Sequence, residues 1–524
     1  MPPRRRKKSS NTKKSRSRKS VSQNTVEGND EPQPPNLLSL PDELLSKCFE
    51  FAFEEDLEDG SFISLRLSHV SRRCRVVALG NATIWTTLLH DSRLHSLDFI
   101  RACISRSRNL PFTVVVTFPE RDLESAYTYI NSVSPADYLA FLKRHVRLER
   151  CRRVVVEYDP GLLEEGLQLQ DDEWEHFAPG GFLVNVRPEC FVIRVPYSHY
   201  WGEDNDSDSE AEDRLSPLIS GTFLKSAILG SRLEHLTIHA PPKLLEYTDL
   251  RFGSLSSLHL SLNYESRVSA AKFLRCFPEL QDLNITMNLH SPTSTIPNTK
   301  ELFSLPSIRN LRFDISVCHD SDRDLDEVQL PWKDCVFPNA VTMDVRLKFQ
   351  IMTYANGTTQ LHRSEWKFRP LVEFIFRNVR PFPSLESLSM SFKIVTYGGI
   401  SVAERLPTCP NASTLFLLNR LPHLKHLEIR SDLRLSVQTT ILDYLQRIKF
   451  NFPALQTLKL RGSQLKIYKW VGLVLQILKE QGSWGTFEEL VVPPEMALPG
   501  ASHGVMHGEA ISEWIRAKVN PKWN

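Results

Sequence analysis

The chain has 524 residues, 41% of them hydrophobic and 24% charged, and its formal net charge at pH 7 is +2. This length exceeds the ~250–300 residues that one hydrophobic core usually serves, so we expect several domains or a repeat array. The composition is that of a soluble globular protein, and a membrane protein is excluded because no apolar run reaches the ~20 residues that cross a bilayer.

Residues 1–36 form a polar, basic tail that we predict to be disordered, because it has almost nothing apolar to bury. Its first 20 residues carry ten basic side chains and no acidic one, so the rest of the chain has a net charge of −8. The tail resembles a nuclear localisation signal; the alternatives are a solvated tail and a weak contact with nucleic-acid phosphates. The acidic balance of the body argues against a nucleic-acid-binding surface there.

Residues 37–90 contain three helical patterns. Ser39 is a candidate N-cap, Pro41 suits the first turn of a helix, and Leu44 and Leu45 begin an apolar stripe that continues four residues later. An acidic stretch at residues 54–60 ends this helix. The second helix has one apolar face and the third, which Ser71 can cap, has another; these faces are Ile63, Leu67 and Val70, then Cys74, Val77 and Ala78.

This segment resembles the F-box, and in particular the F-box-like modules of mushroom-forming fungi. The resemblance rests on four motifs in order, L-P-x-E-L-L, L-S-x-V-S-R-R, A-L and W, which begin at Leu40, Leu67, Ala78 and Trp85. Two features depart from the family: Cys74 replaces a frequent Trp, and the loop after the first helix is long and acidic. We expect Leu79 and Trp85 to belong to the core of the module.

Residues 91–230 are less regular, and we interpret them as the irregular first part of a repeat body. Two β-rich segments, 112–118 and 153–158, predict strands, and residues 136–150 between them predict a helix. Residues 203–213 hold seven acidic side chains and predict a solvated loop. Ser207 and Ser209 in that loop resemble sites for acidophilic kinases, although an unmodified acidic loop is the alternative.

Residues 231–495 repeat the pattern L-x-x-L-x-L nine times, at intervals of 22 to 45 residues. Six of the nine matches are preceded by an apolar residue and a proline, which we expect to end a helix and set an extended entry to the next strand. The pattern resembles degenerate leucine-rich repeats, each with a strand and a helical return. An ordinary α/β sheet with scattered L-x-x-L strands is the structural alternative. Residues 496–524 are predicted to be a flexible linker and a final helix at residues 509–519.

No catalytic or metal-binding motif is persuasive. Gly500-Ala501-Ser502-His503-Gly504 matches G-x-S-x-G but lacks the strand that a nucleophile elbow needs directly before it. The acidic run at residues 320–324 lacks the glycine of a calcium loop, and His423 and His426 are spaced to point to opposite faces of a strand. We therefore expect no enzyme activity, no metal and no cofactor.

The predicted fold class is α/β, with an N-terminal three-helix F-box followed by an irregular leucine-rich-repeat-like solenoid. The resemblance implies a substrate-recognition adaptor of an SCF-type cullin–RING ubiquitin ligase, whose F-box docks on a Skp-type adaptor while the repeats bind an unknown substrate protein. Carried over by position, the adaptor-binding residues are Leu40, Pro41, Leu44, Leu45, Phe49, Leu67 and Val70. These residues could equally form only the core of the module.

In a leucine-rich solenoid the non-leucine positions of the strands line the concave surface. The candidate substrate-binding residues are therefore Thr237, Ser257 and Thr457 together with His235, His259, Asp282, Asn284, Asn310, Arg312, Lys425, Glu428 and Lys459. An interaction scaffold that keeps the F-box but serves no ligase is the alternative function. The nine cysteines include no C-x-x-C pair and the N-terminus is not signal-like, so we expect a protein of the nucleus or cytoplasm, or both, without membrane or nucleic-acid partners.

Overall fold

The computed structural model describes the greater part of the chain between residues 39 and 519. The residues covered are 39–55, 60–90, 96–118, 133–158, 182, 186, 188–194, 233–240, 253–262, 273–289, 303–318, 335–352, 382–397, 408–409, 421–431, 434–435, 454–462 and 468–519. The predicted tail 1–36, the acidic loop 203–213 and the acidic run 320–324 lie outside these residues.

The described residues form a mixed α/β structure with seven α-helices. The helices are α1 Asp42–Glu55, α2 Gly60–Val70, α3 Arg72–Gly80, α4 Asp98–Arg106, α5 Pro135–His145, α6 Tyr468–Glu480 and α7 Glu509–Lys518. The strands of the first half are β1 Thr87–His90, β2 Phe112–Phe118, β3 Cys151–Tyr158, β4 Cys190–Arg194, β5 His235–Ala240, β6 Ser257–Leu262, β7 Asp282–Leu289, β8 Phe303–Ser304 and β9 Asn310–Cys318. Those of the second half are β10 Cys335–Val336, β11 Thr342–Met352, β12 Ser387–Tyr397, β13 Thr408–Cys409, β14 His426–Ser431, β15 Arg434–Leu435, β16 Thr457–Arg461, β17 Glu489–Val491 and β18 Val505–His507.

The three N-terminal helices have the local signals that the sequence predicts, with one exception. Helix α3 begins after Ser71, whose hydroxyl accepts a hydrogen bond from the backbone N–H of Cys74 at 3.0 Å, as an N-cap should. Helix α1 begins at Asp42, and the carbonyl of Pro41 accepts its first helical hydrogen bond, from the N–H of Leu45. The residue before α1 is therefore Pro41, and the prediction of Ser39 as the N-cap is wrong.

Fourteen strands form one sheet, and their order in the sheet follows their order in the chain. Neighbours run parallel from β1 to β17, and only β18 is antiparallel, at the last edge. The short strands β8 with β10, and β13 with β15, form two separate parallel pairs. Strand β1 lies within the range 37–90 that the sequence assigns to the helical module, so its last four residues belong to the sheet.

The nine L-x-x-L-x-L motifs place their second apolar residue on consecutive strands at one register, and all but the last do the same with their third. In the best-matched row, Leu236 pairs with Leu258, which pairs with Leu283, and this continues across the sheet to Leu458 and Leu490. Side chains alternate between the two faces of a strand, so these rows all lie on one face. That face belongs to a single large hydrophobic cluster that also includes residues of α1, α3 and α5.

The apolar-Pro pairs that the structure describes lie in turns that precede the strands, whereas Phe452-Pro453 lies outside the described residues. In four of them the apolar residue accepts a hydrogen bond across the turn from the N–H three residues later, at 3.2–3.3 Å; these residues are Phe277, Phe337, Phe382 and Leu421. Proline thus occupies the second position of a turn, where its fixed φ is favourable. At these four pairs a turn replaces the extended entry that the prolines were expected to set.

The C-terminal segment 496–507 is packed against the end of the sheet, so its prediction as a flexible linker is wrong. Met496 is buried, and its carbonyl accepts a hydrogen bond from the buried indole of Trp514 at 2.8 Å. Strand β18 then pairs with β17. This antiparallel strand and the helix α7 that follows cover an edge that would otherwise expose unpaired backbone groups.

Gly504 is held in a conformation that only glycine adopts without strain. Its φ is +75°, and a Cβ at this position would overlap the carbonyl oxygen of Val492. Gly482 has a similar φ of +76° but open space around the Cβ position. We expect Gly504→Ala to lower the free energy of unfolding by more than about 1 kcal/mol, and by more than Gly482→Ala, as measured by urea denaturation. Equal losses would show that the contact with Val492 contributes nothing.

Candidate binding surfaces

Two of the predicted adaptor-binding residues lie in the hydrophobic core. Leu45 is 0% exposed and Phe49 is 2% exposed, and both belong to the cluster that contains Cys74 and Trp85. Leu44 and Leu45 are adjacent on a helix and therefore about 100° apart around its axis, so one points inward and the other outward. The prediction that Leu45 and Phe49 face a partner is wrong for this reason.

The remaining predicted adaptor-binding residues reach the surface to different degrees. Leu44 is 52% exposed and Val70 is 65% exposed, Pro41 is also exposed, and Leu40 and Leu67 are half-buried. Four further large apolar side chains on these helices are exposed and were not predicted to meet a partner: Phe51, Leu65, Val76 and Leu79. The prediction that Leu79 belongs to the core is therefore wrong, whereas Trp85 is fully buried, as predicted.

Polar contacts fix α1 against α3 and so hold these exposed side chains in place. The guanidinium of Arg73 donates to Asp42 Oδ1 at 2.6–2.8 Å and to the carbonyl of Leu40 at 2.5 Å. Asn81 Nδ2 donates to Ser46 Oγ at 2.8 Å. Cys74 is buried in the core of the unit, so the smaller side chain at this position still has apolar neighbours.

The second face of the sheet carries the non-leucine positions, and its character changes along the sheet. Residues that pair at one register across neighbouring strands form a row on this face. The row that we call central starts with the apolar residues Leu89, Val115, Val155 and Val192, which are buried and have Phe62 of α2 packed against them. From β5 onward the same row is polar, and we call this part, on β5 to β16, the open face. Its central row reads Thr237, His259, Asn284, Arg312, Asp344, Ser389, Glu428 and Lys459.

The structure places all but one of the predicted substrate-binding residues on the open face. Those in the central row are Thr237, His259, Asn284, Arg312, Glu428 and Lys459. Those in the row two residues earlier in each strand are His235, Ser257, Asp282, Asn310 and Thr457. Lys425 lies outside this face. It precedes β14, where its ammonium group contacts Glu386 Oε1 at 2.9 Å. The residue at the equivalent position of the row is His426, which the sequence analysis missed through a one-residue shift in the motif.

Charged residues on β9 to β16 make this half of the open face positive. Three carboxylates each lie within 4.0 Å of two cations: Asp314 with Arg312 and Lys348, Asp344 with Arg346 and Arg312, and Glu428 with Arg430 and Arg461. The carboxylate side chains are 10–28% exposed, whereas these cations are 40–59% exposed. The negative groups therefore lie at the floor and the positive groups above them.

The ionisation of Glu428 reflects this surrounding of cations. Partial burial favours its neutral form, but the hydrogen bond from Arg430 and the charges of Arg430, Arg461 and Lys459 lower its pKa below the usual value of a glutamate. The hydrogen bond to Glu428 in turn raises the pKa of Arg430. Because the folded-state pKa is lowered, this contribution to stability is present above the ordinary glutamate pKa and is lost as the pH falls through the lowered value.

Histidines occupy the open face at β5 and β6, beside the positive half. The rings of His239 and His259 are 5.8 Å apart, and His259 Nε2 lies 3.0 Å from Thr286 Oγ1. His423 lies in the turn before β14, while His426 is on the strand and its Nδ1 lies 3.0 Å from Thr457 Oγ1. Within the described ranges, no group of three or more His, Cys, Asp or Glu side chains is arranged to hold a metal ion.

Ser502 does not have the surroundings of a catalytic nucleophile. It lies in a short 3₁₀ turn, Ser502–Gly504, that follows a turn rather than a strand and leads into β18. A nucleophile elbow places its serine between a strand and a helix, so the G-x-S-x-G match is a local turn sequence. None of the helices that the structure describes is long and apolar enough to cross a membrane.

Two cysteines near the start of the sheet are predicted to be unreactive. Burial raises the pKa of the Cys103 thiol to about 12 despite the nearby charge of Arg106, and burial also raises the pKa of Cys151. The thiolate is the reactive form, so at pH 8 we expect iodoacetamide to modify the half-buried Cys48 at least about tenfold faster than either. Peptide mass spectrometry measures the three rates, and equal rates would contradict the burial of Cys103 and Cys151.

Comparison with known proteins gives no family for this chain. No protein-family model matches the sequence, and no curated protein matches it at a significant level. The motifs of residues 40–85 and the two surfaces described above are the features that indicate its function.

Proposed function

We propose that this protein is a non-catalytic substrate-recognition adaptor of an SCF-type cullin–RING ubiquitin ligase. In this proposal α1–α3 are an F-box that docks on a Skp-type adaptor. The sheet is the inner wall of a leucine-rich-repeat-like solenoid, and its open face binds the substrate protein. The protein would work in the nucleus, the cytoplasm or both, without a metal or cofactor.

The observation that carries the proposal is the set of large apolar side chains exposed on α1–α3. Five of them are more than 40% exposed although the same helices have a well-packed core; they are Leu44, Phe51, Val70, Val76 and Leu79. Exposed apolar groups on a rigid unit are typical of a protein-binding surface. The F-box resemblance of residues 40–85 names the kind of partner, because such modules dock on Skp-type adaptors.

The regularity of the sheet supports the repeat part of the proposal. Each L-x-x-L-x-L motif contributes one parallel strand, and the strands follow one another in chain order from β5 to β17. In repeat proteins each unit contacts mainly its neighbours and the strands line one continuous surface. The open face is such a surface, with its leucine rows buried on the other side.

The proposed mechanism is proximity. Docking on the ligase and binding the substrate with one chain raises the effective concentration of substrate lysines near the ubiquitin-conjugating enzyme. The contacts of Phe62 with the apolar part of the sheet support this mechanism, because they attach the helical unit directly to the sheet and so fix the distance between the two surfaces.

Co-expression of the full chain with a Skp-type adaptor tests the proposal. We expect a stoichiometric complex that survives size-exclusion chromatography, and addition of the cullin–RING subunits should give a larger assembly. A chain that is folded by circular dichroism but elutes alone would overturn the ligase function.

A ligase-independent interaction scaffold is the second candidate. The burial of Leu45 and Phe49 favours it, because these two positions of the F-box motif are not available to a partner. In that case the open face would still bind a protein, but the helical unit would serve only to cover the first edge of the sheet.

A further inference from the structure

Positive charge on the open face is concentrated on both sides of one strand, β12. Arg346 of β11 and Arg430 of β14 lie at the same register as Ser391, one on each side of it. Neighbouring strands are about 4.8 Å apart, so the two arginine backbones are about 10 Å apart. Between them Ser391 is small and only 7% exposed, and we call the strip of β12 between the two arginines the furrow.

The charge beside β12 changes from negative to positive along the strand. Ser389 has Asp344 and Glu428 as its register neighbours, and Ser391 has the two arginines. Two residues further on, Lys393 lies beside Lys348. The furrow is therefore anion-attracting at its Ser391–Lys393 end.

The carboxylates of the floor do not neutralise this end. Across the four rows of the open face on β9 to β16, the described residues include three carboxylates, Asp314, Asp344 and Glu428, and seven cations: Arg312, Arg346, Lys348, Lys393, Arg430, Lys459 and Arg461. Each carboxylate already has two cationic neighbours. An excess of one charge on a surface attracts ligands of the opposite sign.

The shape and chemistry of the surface favour a peptide over a nucleic acid. The described residues of those four rows include no Phe, Tyr or Trp, whereas proteins that bind single-stranded nucleic acid stack the bases on aromatic rings. The seven cations are spread over five neighbouring strands, β9, β11, β12, β14 and β16. Cations at several such positions suit several carboxylates spaced along an extended chain.

We propose that the furrow between Arg346 and Arg430 binds an acidic peptide segment, in which successive aspartate or glutamate side chains contact the cations around Ser391. This inference rests on the proposed function, since the segment would belong to the substrate protein. Arg346 and Arg430 bind carboxylates by charge-assisted hydrogen bonds, and Lys348 and Lys393 extend the positive surface along β12.

Fluorescence anisotropy with a labelled ten-residue peptide of alternating glutamate and threonine tests this inference on the full chain. We expect binding that weakens with added salt and no binding of the glutamine–threonine counterpart. Arg346→Ala with Arg430→Ala should weaken binding about tenfold or more. Arg461 and Arg312 still contact Glu428 and Asp344 in this variant, so the sheet should remain folded.

Two further variants test whether the position of the charge and the charge itself account for peptide binding. The control variant, Lys143→Ala with Arg144→Ala, removes the same charge from exposed positions of α5. Helix α5 packs on the other face of the sheet, where its buried residues join the hydrophobic cluster. This variant should change peptide binding less than about twofold. Arg346→Lys with Arg430→Lys keeps the charge and should retain most of the affinity. Equal losses in the two alanine variants would overturn the inference.

Competing probes and a parallel assay complete the experiment. Tighter binding of a phosphoserine peptide or of a single-stranded oligonucleotide than of the glutamate peptide would also overturn the assignment. Skp-type adaptor binding is measured on the same variants. Loss of the peptide with an intact adaptor complex would affect only this inference, and peptide binding without an adaptor complex would affect only the proposed ligase function.

Discussion

Replacing Leu44 and Val70 with glutamine is expected to abolish co-purification with a Skp-type adaptor while the chain stays folded. Both side chains are more than half exposed, so their removal leaves no cavity in the core. Central apolar residues of a protein interface each contribute about 2 kcal/mol or more to binding, so the double variant should bind at least about a hundredfold more weakly. Glutamine is chosen because it is a good helix former and adds no charge to the end of α2.

Leu110→Gln is the matched control for this prediction. Leu110 is also an exposed leucine, but it lies between α4 and β2, outside the three N-terminal helices. We expect the control to bind the adaptor as the unaltered chain does. Isothermal titration calorimetry measures the affinities, and circular dichroism checks the fold. Unchanged affinity in the Leu44 and Val70 variant would mean that the exposed apolar surface is not the docking site.

Trp85→Ala is expected to destabilise the helical unit and the first strand of the sheet together. Trp85 is fully buried, its indole Nε1 donates to the carbonyl of Ala78 at 2.7 Å, and the guanidinium of Arg106 lies 4.4 Å from its ring. Removing a buried tryptophan side chain costs about 3–5 kcal/mol. Since Trp85 joins α3 to β1 within one hydrophobic cluster, the loss of stability should affect both α3 and β1.

Two milder variants separate the contributions of Trp85. Trp85→Phe keeps an aromatic ring but loses the hydrogen bond, which contributes about 1 kcal/mol. Arg106→Ala removes only the cation–π contact, about 0.5–1 kcal/mol. Urea denaturation gives the three stabilities, and hydrogen exchange shows where protection is lost. Faster exchange in α3 alone, with β1 unchanged in the Trp85→Ala variant, would contradict the view that one core joins the helices to the sheet.

The positions of the strands could be predicted because the leucine spacing reports burial on one face directly. All nine L-x-x-L-x-L motifs contribute a strand to the sheet, and the segments 112–118 and 153–158 are strands as well. The Ser71 cap also follows from local sequence. The helix predicted at residues 136–150 is present at Pro135–His145 and is followed by a short 3₁₀ helix at Leu148–Arg150. In each case the signal lies within a few residues and does not depend on distant parts of the chain.

The binding surfaces could be predicted only in part because they depend on register and on neighbours. A one-residue shift moves a side chain off the face it shares with its row, and this is why Lys425 was predicted in place of His426. The apolar start of the second face is covered by Phe62 of α2, a contact between residues distant in sequence. The apolar runs at residues 114–116 and 154–156 indicate that both faces of these strands are buried, but they do not indicate that α2 is the element that covers them.

The sequence by itself determined that this chain has a helical N-terminal unit and a repeated series of strands, because helix caps and hydrophobic periodicity are local properties. The tertiary structure decided which of Leu44 and Leu45 faces outward, and it brought Arg346, Ser391 and Arg430 to one register although they are 45 and 39 residues apart in the chain. The physical reason is that the side chains in one row of a parallel sheet come from separate strands, so strand register sets the charge of the open face.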